Sequence, residues 1–188
     1  IQDIEYGLTT FASNSIYIIF DRVSITLTVE DSHIDVGTTT SIVWAGFYEY
    51  DLTTFSGTVT LNDTSLIKTN VGRYGFTTQS ITDPLYGLTT FTSNEVHCIW
   101  DRVRIQIAIT DERIDVGGSA PISWTGIYEY DGAPFMGSVS FNDTTVKESV
   151  GKYGYRVQSV SDPNYGLTAF TSNSVSVIFD RVVIELSV

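Results

Sequence analysis

The sequence predicts an all-β protein that contains two small β-sandwich domains in tandem. The first observation is an internal repeat, because Tyr6-Gly7-Leu8-Thr9 returns at Tyr86 and again at Tyr165, spacings of 80 and then 79 residues. The second is a run of short segments in which apolar and polar residues alternate. The third is the clustering of Gly, Asp, Asn and Pro between those segments, as turns between strands require.

Further landmarks recur with the same spacing. Asp-Arg-Val stands at 21–23, 101–103 and 180–182. Ile-Asp-Val-Gly and Tyr-Glu-Tyr-Asp each occur twice, beginning at Ile34 and Ile114 and at Tyr48 and Tyr128. Two units of one design are therefore expected: repeat 1 at 21–100 and repeat 2 at 101–179. The segment 1–20 reads as the last strand of a preceding or partner domain, and 180–188 as the first strand of a following or partner domain.

Each unit is composed of predicted strands. Residues 23–29 place Val23, Ile25, Leu27 and Val29 on one face and hydroxyl residues on the other, the pattern of a half-buried strand. Segments rich in β-branched and aromatic residues predict further strands; they are 15–20, 40–50, 57–61 and 74–79. No segment has the pattern of an amphipathic helix. Short strands separated by turns are typical of sandwiches and barrels.

One local cluster sharpens the fold class. Gly72-Arg73-Tyr74-Gly75-Phe76 and its counterpart at 151–155 resemble the Gly-x-Tyr-x-apolar stretch that opens the next-to-last strand of immunoglobulin-like sandwiches. The resemblance implies that the tyrosine packs inward and hydrogen-bonds back to the preceding loop. It also implies core positions for Trp44 and Trp124.

The wider resemblance is to surface proteins. The chain lacks the inter-sheet cysteines of antibody domains, since Cys98 is its single cysteine. It is therefore similar to prokaryotic, including archaeal, cell-surface or S-layer-type proteins with tandem immunoglobulin-like repeats. That similarity implies tandem immunoglobulin-like β-sandwich domains joined by continuous strands.

The junctions between units carry no flexible linker. At 96–105 the apolar set moves from even positions (Val96, Cys98, Trp100) to odd ones (Val103, Ile105) across Asp-Arg. A one-residue slip exchanges the faces of a strand, so the chain is expected to leave one core and enter the next there. The alternative is that Asp-Arg is a polar break between two hydrophobic strands. The predicted junction residues are Phe20, Asp21, Arg22, Trp100, Asp101, Arg102, Phe179, Asp180 and Arg181.

The two end segments predict long assemblies. The segment 1–20 has no domain body before it, and 180–188 has none after it. Either the sequence is a window on a longer array, or unpaired strands are exchanged between molecules. Both interpretations make the chain its own partner, as a homopolymer or an array.

Charge excludes several partners. The net charge is −12, with 10 Lys and Arg against 22 Asp and Glu. Nucleic acid and anionic membrane surfaces need clustered basic residues. No apolar run approaches the length of a membrane span, and no secretion signal opens the chain. Binding to nucleic acid and insertion into a membrane are therefore not expected.

The residue types needed for catalysis are sparse. His33 is replaced by Arg113 in repeat 2, and His97 and Cys98 also differ between copies. No nucleophile set, metal-binding His/Cys spacing or phosphate loop can be assembled. An acidic pair of the glycosidase type remains the enzyme alternative. We expect no enzyme and no cofactor.

Two weaker sites recur in both units. Asn62 and Asn142 begin Asn-Asp-Thr, which fits an N-glycosylation acceptor and equally fits a strand-capping turn. Asp21, Asp101 and Asp180 are candidate calcium ligands, against the alternative of a solvated acidic surface, which the sequence favours.

The function predicted is structural. Repeats, missing linkers and end segments together indicate a building block of an extracellular filament or surface layer. The alternative is an adhesin stalk or carbohydrate-binding module, in which Tyr48, Tyr50, Tyr128 and Tyr130 stack on surface glycans. Both interpretations place the protein outside the cell or on its surface.

Overall fold

The computed structural model describes residues 5–7 and 12–187. This part of the chain is all-β and contains no helix, which confirms the predicted class. The strands of repeat 1 are β1 (Val23–Val29), β2 (His33–Asp35), β3 (Ile42–Tyr48), β4 (Thr58–Leu61), β5 (Gly72–Phe76), β6 (Thr78–Thr82), β7 (Phe91–Ser93) and β8 (Val96–Asp101). Those that follow are β9 (Val103–Ile109), β10 (Arg113–Asp115), β11 (Ile122–Tyr128), β12 (Ser138–Phe141), β13 (Gly151–Ser161), β14 (Phe170–Ser172) and β15 (Ser174–Asp180).

The strands of each repeat pair with one another in the same order. In repeat 1, β1 lies between antiparallel β3 and parallel β7. A second sheet has β8 between parallel β2 and antiparallel β5, and β4 pairs with β6. In repeat 2, β9 lies between β11 and β14, and β15 lies between β10 and β13. Neighbours in both units are therefore distant in sequence.

One long strand takes part in two pairings in repeat 2. β13 pairs with β15 through 151–156 and with β12 through 157–161. The equivalent stretch of repeat 1 is divided into β5 and β6 on either side of Thr77. Both units have a register shift at the same place, at Thr60/Leu61 and at Ser140/Phe141. Such a bulge bends a strand and re-aims its side chains.

The alternating strands build a separate core in each repeat. Val23, Ile25 and Leu27 of β1 are at most 3% exposed, and burial of each such side chain stabilises the fold by about 1.5–3 kcal/mol. Every hydrophobic cluster draws its members from one repeat only. The fully buried tryptophan is Trp100. Trp44 and Trp124, predicted for the core, are half-buried and pack against Phe55 and Phe135.

Polar side chains complete the sheets. The Tyr74 hydroxyl donates to the carbonyl of Asn70, and that of Tyr153 donates to Ser149, so each tyrosine bonds back to its preceding loop as expected. Asn94 receives a hydrogen bond from the backbone N–H of Leu27 and donates to its carbonyl, at 2.7 and 3.0 Å. An amide side chain thus extends the β1–β7 pairing by one position.

Two predicted strands are absent. Residues 15–20, expected to be a strand, have no regular structure, and neither do residues 181–187. Their sequence counterparts, β8 and β9, are paired on both sides. Here the corresponding places in both repeats are already occupied by the repeat's own strands. A strand needs a partner edge for its backbone groups, so the apolar pattern alone does not form one.

The junction differs in detail from a continuous strand. β8 ends at Asp101 and β9 begins at Val103, so pairing is interrupted at Arg102 alone. The break arises because β8 pairs only with β2 and β5, whereas β9 pairs only with β11 and β14. The buried apolar residues change parity as predicted. They are the even-numbered Cys98 and Trp100 before the junction and the odd-numbered Val103 and Ile105 after it. One residue therefore separates two cores.

Candidate functional site

An extended set of polar contacts lies where the two repeats meet. One side is β2, a three-residue edge strand that pairs in parallel with the last strand of repeat 1. The other side is the Tyr165-Gly166-Leu167-Thr168 loop of repeat 2. Asp101 and Arg102 connect the two. We call this set of residues the joint.

Asp35 provides the strongest contact of the joint. Its carboxylate accepts hydrogen bonds from the backbone N–H of Thr168 at 2.9 Å and of Ala169 at 2.8 Å. It also accepts the Thr168 hydroxyl at 2.6 Å. Hydrogen bonds to an ionised acceptor are shorter and stronger than neutral ones. A single side chain of repeat 1 therefore holds two successive residues of repeat 2.

His33 lies beside it on the same edge strand. Its ring stacks on Tyr165, with ring centroids 3.9 Å apart and an angle of 22° between the planes. Its Nε2 is 3.1 Å from Oδ2 of Asp101. The stack and the polar contact fix the ring from two directions, so the histidine joins the two repeats through both apolar and polar surface.

Asp101 is the fully buried centre of the joint. Its Oδ1 accepts the backbone N–H of Arg102 at 2.8 Å and that of Tyr130 at 2.9 Å. Its Oδ2 faces His33. A buried carboxylate is tolerated only when hydrogen bonds replace its lost hydration, and here they come from both repeats.

A peripheral ion pair orients the linking residue. Arg102 Nε donates to Glu129 at 2.8 Å, and the other oxygen of Glu129 accepts the Thr171 hydroxyl. Both charged side chains remain partly exposed. Pairs of this kind contribute about 0.2–1 kcal/mol, so orientation of the chain matters more here than energy.

The loop that contacts repeat 1 is itself held rigid by a buried carboxylate. Asp162 accepts the hydroxyl of Tyr128 at 2.7 Å and the backbone N–H groups of Asn164, Tyr165 and Leu167. Burial, together with the hydrogen bond to Asp162, raises the pKa of Tyr128 to about 12. The loop therefore presents Tyr165 and the following N–H groups in a fixed arrangement.

Repeat 1 contains the same loop device. Burial first, and then the hydrogen bond to Asp83, raise the pKa of Tyr48 to about 12. Burial opposes ionisation of Asp83, but hydrogen bonds from Tyr48 and from three backbone N–H groups outweigh it, so its pKa is lowered. Tyr48 and Tyr128 are thus internal supports, 1% and 3% exposed. They are not available for stacking on a sugar, whereas Tyr50 and Tyr130 are exposed.

The structure places the predicted junction residues at three unequal positions. Asp21 repeats the backbone contacts of Asp101, accepting N–H groups of Arg22 and Tyr50, and Arg22 pairs with Glu49. Asp180 accepts the N–H of Arg181 at 2.8 Å. The aromatic residues before these pairs differ most: Trp100 and Phe179 are fully buried, whereas Phe20 is 92% exposed.

The two Asn-Asp-Thr sites have a shared structural role. Asn62 accepts the N–H of Thr77 and donates to the carbonyl of Gly75. Asn142 does the same with Arg156 and Gly154. Each amide therefore spans the bulged position of its sheet, in keeping with the strand-capping interpretation. An N-linked sugar leaves one hydrogen on the amide nitrogen, which is enough for the hydrogen bond to the carbonyl. Glycosylation at these residues therefore stays a prediction.

The remaining candidates lie apart from one another. Within residues 5–7 and 12–187, no three His, Cys, Asp or Glu side chains are grouped so as to hold a metal ion. Cys98 is buried and its thiol contacts the carbonyl of Asp31, while burial raises its pKa. His97 lies 3.1 Å from Glu95 at the surface. Calcium at Asp21, Asp101 and Asp180 is untested by these contacts.

Reasoning from sequence did not bring the joint residues together as one site; they are His33, Asp35, Tyr165 and Thr168. A signal was present: Asp35 belongs to the repeated Ile-Asp-Val-Gly motif and Thr168 to the repeated Tyr-Gly-Leu-Thr motif. No protein-family model matches the chain, and a search of curated proteins finds no match. The described residues include no helix that is long and apolar enough to cross a membrane.

Proposed function

We propose that this chain is a structural extracellular protein, a building block of a filament or surface layer in which immunoglobulin-like sandwich units are joined end to end. The observation that carries the proposal is the joint. Two repeats, with a single residue between the strands β8 and β9, are held by Asp35, His33 and Asp101 through contacts that involve both units.

The immunoglobulin-like assignment is supported by the pairing order and by the tyrosines. Repeat 1 has two three-stranded sheets and the β4–β6 pair, repeat 2 has a three-stranded and a four-stranded sheet, and each unit has its own core. Tyr74 and Tyr153 bond back to the preceding loop. Bonding of this kind is a hallmark of the fold. Repeated units with nearest-neighbour contacts derive stability from each core and from each joint.

The mechanism of such a protein is geometric. Flexible joints between domains need several Gly, Ser or Pro residues, and none stands between Asp101 and Val103. The Asp35 hydrogen bonds and the His33–Tyr165 stack resist rotation of one unit against the other. A fixed rotation at every joint produces a stiff rod or a regular lattice. A surface structure requires this regularity.

The exposed end segments favour an array. Ile16, Ile18 and Phe20 are 76–92% exposed, and Val182, Ile184 and Leu186 are 79–90% exposed. Their counterparts in β8 and β9 are buried or half-buried. Exposed strand sequences of this kind are completed by pairing with another unit. The acidic, lysine-poor surface supports a location outside the cell, where mutual repulsion keeps such assemblies soluble.

A stalk that holds out an adhesive tip is the alternative. Burial of Tyr48 and Tyr128 removes two of the four aromatic residues on which sugar binding was predicted. Electron microscopy of native extracellular material separates the two functions: regular fibres or sheets with an axial spacing of one or two units support the structural role, whereas separate rods ending in a distinct head contradict it.

Stiffness is tested directly on this chain. We expect a Gly-Ser linker inserted after Trp100 to broaden the distance distribution in small-angle X-ray scattering, because it separates Asp35 from Thr168. The matched control places the same linker after Asp131, in an exposed turn of repeat 2. Equal scattering from the Trp100 insertion and the unmodified chain contradicts the rigid joint.

A further inference from the structure

Both halves of the joint are present a second time, and among the described residues they do not contact each other. The end of repeat 2 away from the joint carries Arg113 and Asp115 on β10, at the positions of His33 and Asp35 on β2. We call Arg113, Asp115 and Asp180 the head face. The end of repeat 1 away from the joint carries the counterparts of the loop whose N–H groups bond to Asp35. We call Glu49, Tyr50, Tyr86, Thr89 and Thr90 the tail face.

The head face has an unused acceptor. Within the part of the chain that the structure describes, the Asp115 carboxylate makes no hydrogen bond, although its counterpart Asp35 receives three donors. Arg113 lies 3.4 Å from Asp180, the same pairing that joins His33 to Asp101. The geometry of the Asp35 half-joint is therefore reproduced on β10 and β15, with the same parallel register.

The tail face has the matching unused donors. The backbone N–H groups of Thr89 and Thr90, counterparts of Thr168 and Ala169, find no acceptor among the described residues, and both residues are exposed. Asp83 holds the preceding loop through N–H groups of Leu85, Tyr86 and Leu88, as Asp162 does in repeat 2. Tyr86 is 61% exposed, so its ring is open for stacking.

We infer that the head face binds the tail face of a second copy of this chain, so that molecules associate head to tail. The inference rests on the proposed function and names its partner. In the contact, Asp115 accepts the Thr89 and Thr90 N–H groups and the Thr89 hydroxyl of the neighbouring molecule. Arg113 stacks on Tyr86, a geometry that a planar guanidinium favours on an aromatic ring.

Formation of this contact between two molecules requires one aspartate to replace another. In the joint, one aspartate, Asp101, serves both units, whereas here Asp180 of one molecule has to replace Asp21 of the other on the Tyr50 N–H. Residues 12–20 and 181–187 lie outside any strand, so no strand pairing has to break for this exchange. Exchange of one aspartate for another contributes little, and we expect weak association with a dissociation constant of about 10 µM to 1 mM.

Complementation tests the inference with the full chain. Asp115→Ala disables the head face and Tyr86→Ala disables the tail face, and each variant alone should sediment as a monomer where the unmodified chain forms dimers and longer species. Their mixture should recover dimers only, because one intact head and one intact tail remain. Loss of the three donors to Asp115 should weaken association at least about tenfold. Glu30→Ala is the charge-matched control, since Glu30 is exposed and follows β1 at the end opposite Val23, the residue that bonds to Thr90 of the tail face.

Each other outcome overturns the inference. An unmodified chain that stays monomeric up to about 1 mM excludes the contact. Association that survives Asp115→Ala but is lost in Ile184→Ser with Leu186→Ser shows that the end strands, and not the faces, bring molecules together. Neither result bears on the proposed function. That function is tested separately by scattering of the linker variant and by microscopy of native material.

Discussion

Replacement of Asp35 by alanine isolates the joint from the rest of the fold. The carboxylate lies on a three-residue edge strand and supports no contact within the core of its own repeat. It is bonded instead to Thr168 and Ala169, 133 and 134 residues away in sequence. Asp35→Ala should therefore open the joint and leave both units folded.

The magnitude follows from the donors that are released. A hydrogen bond to a charged group contributes about 1.5–3 kcal/mol, and exposure of Thr168 to water reduces this to about 1 kcal/mol per donor. Three donors are lost, the two N–H groups and the Thr168 hydroxyl. The joint should be weakened by about 3 kcal/mol, or roughly a hundredfold in its closed-to-open ratio.

Amide hydrogen exchange measures that ratio at single residues. In the unmodified chain the N–H groups of Thr168 and Ala169 should exchange slowly, and in Asp35→Ala about a hundredfold faster. Thr89 and Thr90 provide the internal control, because the same loop in repeat 1 lacks the carboxylate and should exchange quickly in both proteins.

A matched variant guards against a general loss of stability. Asp115→Ala removes the equivalent carboxylate of repeat 2 and should leave exchange at Thr168 unchanged in dilute solution. If Thr168 and Ala169 exchange as fast as Thr89 and Thr90 in the unmodified protein, the hydrogen bonds of Asp35 do not close the joint. The explanation of stiffness then fails with them.

Two further predictions concern the units themselves. Gly137→Ala should lower the free energy of unfolding by more than about 2 kcal/mol in urea denaturation, because the added Cβ would lie 2.1 Å from the carbonyl oxygen of Ser161. Gly154→Ala, whose Cβ meets nothing within 4 Å, is the control, and an equal loss in both variants contradicts the packing argument. Alkaline titration tests the buried tyrosine: the pKa of Tyr128 is raised from 10.0 to about 12 in the folded protein, so its contribution to stability is complete below about pH 10 and is lost as pH rises toward about 12. Tyr128→Phe should be less stable at neutral pH and should lack this part of the alkaline loss; an unchanged pH profile would show that its hydroxyl does not resist ionisation.

The features predicted correctly from sequence are those that depend on local pattern. Alternation of apolar and polar residues predicted β1. The change of apolar residues from even to odd positions predicted the junction between buried Trp100 and buried Val103. The back-bonding of Tyr74 and Tyr153 also depends on near neighbours, since each hydroxyl reaches a carbonyl four residues earlier. Periodicity and short-range geometry suffice for such features.

The errors come from properties that no local pattern contains. Residues 15–20 have the composition of β8, but a strand exists only when a neighbouring edge accepts its backbone groups, and that edge is absent for them here. His33 was set aside because repeat 2 has Arg113 in its place. The structure shows that either residue can contact the neighbouring aspartate, at 3.1 Å for His33 and 3.4 Å for Arg113. Variation between copies therefore did not indicate a free surface.

The repeated motifs divide into two kinds, and the division bears on assembly. Asp83 and Asp162 are satisfied inside their own repeats, as are Tyr74 and Tyr153. Among the described copies, the Asp of Ile-Asp-Val-Gly and the Thr of Tyr-Gly-Leu-Thr make their side-chain hydrogen bond to each other only across a boundary between units, where Asp35 meets Thr168. A carboxylate that serves no purpose within its unit gains nothing from recurring unless the boundary recurs as well. Asp115 and Thr89, the second copies in these motifs, are the groups that the proposed head-to-tail contact joins.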